Sequence, residues 1–295
     1  MLYNNSMHFI TVKNILTSNG GTGINVYRGC THGCIYCDSR SLCYNTPVPF
    51  EDIEVKENAV ELLRSSLSKK RKRMMIGTGS MCDPYIPIEK ELKITRGCLE
   101  AICDYDFGAS VLTKSDLVLR DFDLLEKINR KTKAVLQMTL TTSDENLCRI
   151  IEPNVCTTSR RFEVLMEAKK SGIPTVVWMC PFLPYINDTW ENISSILDMC
   201  IRAGVKGIML FGVGLTLREG NREYFYKNLS ENFPGLKEKY IRSFGSSYEI
   251  ASIKQPELLA LIDSTCRKNG ILSRADDVFG YLNSFEEREI QLSLF

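Results

Sequence analysis

The chain has no long apolar run. Nothing in its 295 residues approaches the roughly 18–20 consecutive apolar residues that a membrane-crossing helix needs. It also lacks the marks of a secretion leader, because Met1-Leu2-Tyr3-Asn4-Asn5 supplies neither a basic start nor an apolar stretch behind it. The expectation is a cytoplasmic protein without a membrane segment. Charge of one sign is scarce too: 37 Lys and Arg stand against 36 Asp and Glu, a formal net charge of +1. Blanket electrostatic attraction to nucleic acid is thereby excluded, whereas a local basic surface is not. No internal repeat or low-complexity linker interrupts the chain.

Cysteine, by contrast, is plentiful, with 12 residues. In a cytosolic chain of this length that points to metal, catalysis or packing rather than to disulfides. Cys98, Cys103, Cys148 and Cys200 lie in apolar helix or strand contexts and read as small core hydrophobes.

Apolar runs of strand length alternate with helical patterns. Candidate strands are Ile24–Arg28, Met74–Thr78, Ser110–Thr113, Val135–Leu140, Thr175–Cys180 and Lys206–Phe211, mostly near-continuous apolar runs of the kind buried on both faces. Between them, Ile193, Ile196, Leu197, Cys200 and Ile201 follow helical spacing and stop at Gly204. Phe162, Leu165, Met166 and Lys169 do the same before Gly172 and Pro174, as do Ala59, Val60, Leu63 and Leu67. The alternation predicts an α/β fold with a parallel sheet and right-handed crossovers, with ligands at the C-terminal strand ends. Six such units suit a partial barrel, although periodicity does not separate that from an open doubly wound sheet. From about residue 216 the strand signal fades, and Glu219–Phe233, Leu236–Phe244 and Pro256–Lys268 read as helices. The expected division is a core over 1–215 and a helical extension over 216–295.

After the first strand comes Arg28-Gly29-Cys30-Thr31-His32-Gly33-Cys34-Ile35-Tyr36-Cys37, with cysteines spaced C-x3-C-x2-C. Thiolates are the natural ligands of iron–sulfur clusters, and Gly29 and Gly33 let a short loop wrap a bulky group. Three local ligands leave one iron of a 4Fe-4S cluster open to substrate or cofactor. A structural zinc site would want four closed ligands, usually from C-x2-C pairs.

This loop, with an aromatic just before the third cysteine, resembles the radical S-adenosylmethionine (SAM) signature, and the chain is similar to the spore photolyase-like branch of that superfamily. The motifs that carry the likeness continue with Asp83-Pro84-Tyr85 and Pro87-Ile88-Glu89, Leu112-Thr113-Lys114-Ser115, Thr141-Thr142 with Glu152-Pro153, and Gly172-Ile173-Pro174 with Pro181, Pro184, Asn187 and Asp188. They run from about residue 24 to 190, with a weaker echo near Phe233–Phe244. The resemblance implies a partial (β/α)6 TIM-like barrel of the radical SAM type. It implies a 4Fe-4S cluster on Cys30, Cys34 and Cys37, and SAM on the open iron. Reductive cleavage would yield a 5′-deoxyadenosyl radical for hydrogen abstraction, with a flavodoxin or ferredoxin as electron donor. By the same analogy Tyr36 packs near the adenine, Gly77, Thr78 and Ser80 approach the SAM amino group, Lys114 pairs with its carboxylate, and Thr139 and Thr141 reach ribose or carboxylate. Tyr85 is carried over as a catalytic candidate with its motif.

Spore photolyases use a hydrogen-returning cysteine and an aromatic relay. Here Asp38 follows the third cluster cysteine instead of an aromatic. Cys82 lies near the donor position, Cys180 falls at a strand end, and Cys43 lies just past the loop. The expected substrate is a nucleic-acid or nucleotide lesion; rivals are a peptide or small metabolite, an electron-transfer protein, or a zinc-stabilised module tethered to the sliding clamp. Lys69-Lys70-Arg71-Lys72-Arg73 joins a helix end to a strand start, which puts it on the face opposite the site. Arg160-Arg161 opens a helix, with Arg161 turned inward. The tail Gln291, Leu292, Ser293, Leu294 and Phe295 resembles clamp-binding peptides.

Overall fold

The computed structural model describes residues 7–17 and 22–287. Its main sheet has six strands: β1 (Gly23–Ile24), β2 (Met75–Thr78), β3 (Gly108–Thr113), β4 (Ala134–Thr139), β5 (Thr175–Trp178) and β6 (Gly207–Met209). All neighbours pair in parallel, and spatial order follows chain order. A doubly wound sheet reverses its order at a switch point. Here no reversal occurs, so every crossover turns the same way, the helices gather on one face, and the sheet curls into a partial (β/α)6 barrel.

Alternate residues of each strand explain the two sides. Ile76, Val111, Leu136, Met138, Val177 and Ile208 belong to the large core shared with the helices, including Ala59–Lys69, Ile94–Asp104 and Trp190–Ala203. Met75, Val135, Val176 and Met209 point to the concave side, where Val278 and Leu282 of the helix Ala275–Asn283 cover them. That helix fills the lower interior of the open barrel. Lys133, fully buried just before β4, holds it there. The ammonium donates to the carbonyls of Tyr281 and Ser284 at 2.8 and 3.1 Å and pairs with Glu286 at 3.0 Å.

Two expectations are corrected. Ile24–Arg28 is not one strand: β1 ends at Ile24, and Tyr27–Arg28 turns away to pair antiparallel with Ile53–Lys56, which also pairs with Met7–Ile10. The region after residue 216 is mostly helical, but Gly214–Thr216 and Glu249–Ala251 form an antiparallel pair. Segments of three residues are too short to display a period. Cys98, Cys103, Cys148 and Cys200 are buried, as their contexts suggested. The basic run lies between the end of the first helix at Lys69 and β2. No helix among the described residues is long and apolar enough to cross a membrane. Gln291, Leu292, Leu294 and Phe295 lie outside the described residues.

Candidate active site at the C-terminal strand ends

The cysteine loop folds over the C-terminal ends of the strands. Gly29 and Gly33 adopt φ values of 84° and 71°, which side-chain-bearing residues rarely take. Cys30, Cys34 and Cys37 line one cavity of ≈ 170 Å³ together with His32, Tyr36, Asp83, Ser80, Lys114, Thr139, Trp178, Cys82 and Cys180. The chain thus brings most of the sequence-nominated residues to one place. Gly77 and Thr78 line a deeper cavity that Ser80, Leu112 and Trp178 share with the first. Gly79, at φ 96°, leaves no room for a side chain, because a Cβ there would lie 2.1 Å from the Leu112 carbonyl oxygen.

The loop is braced by the fourth-strand motif. The Ile35 amide donates to the Ile151 carbonyl at 3.0 Å, and the Asn154 amide to that of His32 at 3.1 Å. Behind them is a fully buried ion pair, Arg161–Glu152 at 2.6 Å. Glu152 also accepts the Tyr36 hydroxyl and, at 3.3 Å, that of Thr141. Burial works against the Glu152 carboxylate, but Arg161 and Lys114 outweigh it and hold its pKa below the usual value. Tyr36, the aromatic of the cysteine loop, is therefore fixed through its hydroxyl while its ring faces the cavity. Thr141 is buried beside Glu152 rather than lining the cavity.

A second brace is Asp83, whose carboxylate accepts from the Thr113 hydroxyl and the Lys114 amide, both at 2.7 Å, and from the Tyr85 amide at 2.8 Å. His32 Nδ1 lies 3.5 Å from Asp83; burial pushes its pKa down against the pull of that carboxylate, so the imidazole is neutral. Tyr85 itself does not face the cavity. It is buried, and its hydroxyl donates to Asp121 at 3.1 Å, so it supports the motif from behind and the catalytic assignment is corrected. Glu89 of the same motif accepts from the Tyr27 hydroxyl and, at 2.7 Å, from Arg120, tying the strand before the cysteine loop to the next crossover.

The three thiols meet the chemistry of a multi-iron cluster. Burial pushes Cys34 up to about 12 and Cys30 well above an ordinary thiol, and the cysteines raise one another further. Coordination removes a thiol proton outright, so iron would supply the positive charge that these buried sulfurs lack. Among the described residues no three His, Cys, Asp or Glu groups converge on a single-ion site; the thiols stand around a cavity instead. Lys114 is half-buried. Desolvation opposes its charge, but Cys34, Glu152 and Asp83 more than compensate and raise its pKa, so it stays an ammonium, 5.9 Å from the centre of the Tyr36 ring.

A larger cavity of ≈ 670 Å³ adjoins the first and shares Tyr36, Cys37, Lys114, Trp178 and Cys180 with it. Its far wall comes from Phe211, Gly214–Thr216, Glu249–Ala251 and Gln255. Phe211 packs edge-on to Trp178 at 5.8 Å, and the Trp178 indole donates to Gln137 at 2.7 Å. Sequence reasoning missed Trp178, Phe211 and Gln255, since single aromatics and amides at strand ends carry no local pattern. Cys82 borders the first cavity but not the larger one, and its thiol donates to the Tyr27 carbonyl at 3.1 Å. Cys43 lies outside both cavities, 3.2 Å from Arg218. Asp38, where an aromatic relay would be expected, instead accepts the Tyr44 hydroxyl at 2.7 Å and faces Arg218 at 3.6 Å.

A partial barrel that carries three cysteines in one loop over its strand ends is the architecture of enzymes that join an iron–sulfur cluster to SAM. The chain belongs to the radical SAM superfamily, whose family model matches residues 24–195, and that superfamily uses a 4Fe-4S cluster and SAM. It is 29% identical over 223 residues to an uncharacterised protein of Mycobacterium tuberculosis, a match covering 74% of this chain and 65% of the relative. An uncharacterised protein of Methanocaldococcus jannaschii is 35% identical over 167 residues, covering 56% of this chain and 61% of the relative. The match thus spans less than two thirds of either relative's length. In fold, the chain is similar to spore photoproduct lyase complexed with dinucleoside spore photoproduct, with TM-score 0.66, 11% identity and coverage of 90% and 81%. A radical SAM methyltransferase from Kitasatospora setae, with cobalamin and a 4Fe-4S cluster bound, gives TM-score 0.57 at 13% identity, covering 85% of this chain and 54% of that one.

Proposed function

We propose that this protein is a radical SAM enzyme acting on a nucleic-acid or nucleotide lesion, with Cys30, Cys34 and Cys37 as the cluster ligands. The observation that carries the reading is the wall common to the two cavities. Tyr36, Cys37, Lys114, Trp178 and Cys180 border both, so whatever is generated beside the cysteines opens directly onto a space large enough for a substrate. When bound, the cluster would pass one electron to the SAM sulfonium, releasing methionine and a 5′-deoxyadenosyl radical that takes hydrogen from the substrate.

The protein's own residues would position and protect. The Lys114 ammonium is suited to the SAM carboxylate, Ser80, Gly77 and Thr78 to its amino group, and Thr139 to ribose or carboxylate. Tyr36, steadied by Glu152, would pack near the adenine. Burial pushes both Cys82 and Cys180 up to about 12. Both are therefore S–H at neutral pH, the form that a hydrogen donor needs. Cys180 borders the larger cavity and Cys82 does not, which favours Cys180 for a substrate seated there. A flavodoxin or ferredoxin would supply the electron. The fold likeness to a lyase whose bound ligand is a dinucleoside photoproduct supports the nucleic-acid assignment.

The test is to incubate the reduced, reconstituted protein with SAM and damaged DNA, RNA or peptide. We expect one nucleic-acid substrate to raise 5′-deoxyadenosine output, with substrate deuterium carried into it. Stimulation by peptide alone would overturn the substrate assignment.

A further inference from the structure

Beside the cluster cavity lies a smaller one, ≈ 130 Å³, which meets it at Ser39, Met81 and Cys82. Its polar groups are cationic and hydrogen-bond-donating, set among the rings of Tyr27, Tyr44 and Phe50. Lys56, at the end of the strand Ile53–Lys56, and Arg28 contribute the charges, and Ser39 and Thr46 contribute hydroxyls. Among the described residues, no aspartate or glutamate lines it. Arg28 is engaged with Glu54 through Nη1 at 2.7 Å. Lys56 is half-buried, and its ammonium donates to the Asn25 carbonyl at 2.6 Å. An ammonium carries three protons, and a neutral carbonyl does not cancel its charge. Burial lowers the Lys56 pKa, the signature of a cation held partly out of water, with Cys82 and Glu54 opposing the effect and Arg28 adding to it. A desolvated cation facing an acid-free pocket is unfavourable until an anion completes it.

We propose that this pocket binds a phosphate group of a nucleic-acid substrate on the Cys82 side of the cluster cavity, at a point distinct from the larger cavity that would seat the reacting part. The inference rests on the reading of the protein as an enzyme of nucleic acid or nucleotides, and it adds where the substrate backbone is held. A phosphate suits the lining better than a carboxylate does. Its oxygens spread tetrahedrally and can take an ammonium, a guanidinium and hydroxyls at once.

The experiment is anaerobic equilibrium dialysis of the reconstituted holoprotein against thymidine, thymidine 5′-monophosphate and the dinucleotide d(TpT), with Lys56→Met and Lys56→Arg as variants. A charge-assisted contact is worth roughly tenfold to a hundredfold in affinity. The monophosphate or d(TpT) should therefore bind at least about tenfold more tightly than thymidine. Lys56→Met should erase that difference and Lys56→Arg should keep most of it. The two phosphorylated probes separate a monoester site from a diester site. Equal binding of all three probes, no binding of either phosphorylated probe, or an advantage that survives in Lys56→Met would each overturn the proposal. Iron and sulfide content confirms that each variant is folded around its cluster loop. 5′-Deoxyadenosine formed by the unaltered protein in the same preparation reports separately on the radical chemistry, so failure of the pocket and failure of the enzyme reading are distinguishable.

Discussion

On the cysteine side of the site, polar groups are tied to segments far away in sequence. Tyr36 is held by Glu152, Glu152 by Arg161, and the Lys114 amide and Thr113 hydroxyl by Asp83. On the opposite side, the wall of Phe211, Gly214–Thr216, Glu249–Ala251 and Gln255 mixes apolar and polar side chains and is open to solvent at Phe211, which is 63% exposed. The difference teaches how labour is divided. Radical chemistry needs atoms fixed within fractions of an ångström, which buried ionic and hydrogen-bonded cross-braces provide. On the proposed reading, the wall that carries the exposed Phe211 is the side left to the substrate.

The comparison breaks most completely at the cysteines. Cys34→Ala should abolish iron loading and SAM cleavage, whereas Cys200→Ala, buried among helices, should leave both intact in iron assays and product analysis. Equal loss in both variants would mean that the cysteines have been misassigned. Next is the brace. Arg161→Met strands the Glu152 carboxylate and should cost roughly 3–5 kcal/mol in urea unfolding. The depressed Glu152 pKa also sets a pH dependence. Its stabilisation is complete above the ordinary carboxylate value of about 4.3 and is lost as pH falls through the lower folded value. Glu152→Gln should flatten that acid limb.

The opposite wall should respond in affinity rather than stability. If Phe211 stacks a base, Phe211→Ala should weaken binding of a single-stranded oligonucleotide by about 1–3 kcal/mol in anisotropy titrations, with the melting temperature little changed. The smallest effect is expected far from both walls. Arg71 and Lys72 are exposed on the face opposite the site, and replacing both with Ala should move stability by no more than about 0.5 kcal/mol and leave SAM cleavage unchanged.

Chemistry was far more legible in the sequence than recognition. Cys30, Cys34 and Cys37 share one short loop, so their spacing alone marks them as candidate ligands, and buried parallel strands announced themselves as apolar runs. Lys114 was visible as a strand-end residue within a motif. Arg161 was visible only as an inward-turned helix residue, because its partner Glu152 lies on another element. Tyr85 misled because a motif beside the site holds supporting residues as well as reacting ones. The pair Gly214–Thr216 and Glu249–Ala251 was invisible, since three-residue strands separated by the helices Asn221–Asn232 and Leu236–Phe244 leave no periodic signal. Phe211 and Trp178 meet only once β5 and β6 are side by side.

The most direct test of the central claim is anaerobic reconstitution with iron and sulfide, followed by dithionite and SAM, with 5′-deoxyadenosine measured by mass spectrometry. The account predicts 5′-deoxyadenosine from the unaltered protein and none from Cys34→Ala. A fully loaded 4Fe-4S cluster that yields none under any substrate, or a preparation that takes up zinc but no iron and sulfide, would contradict it.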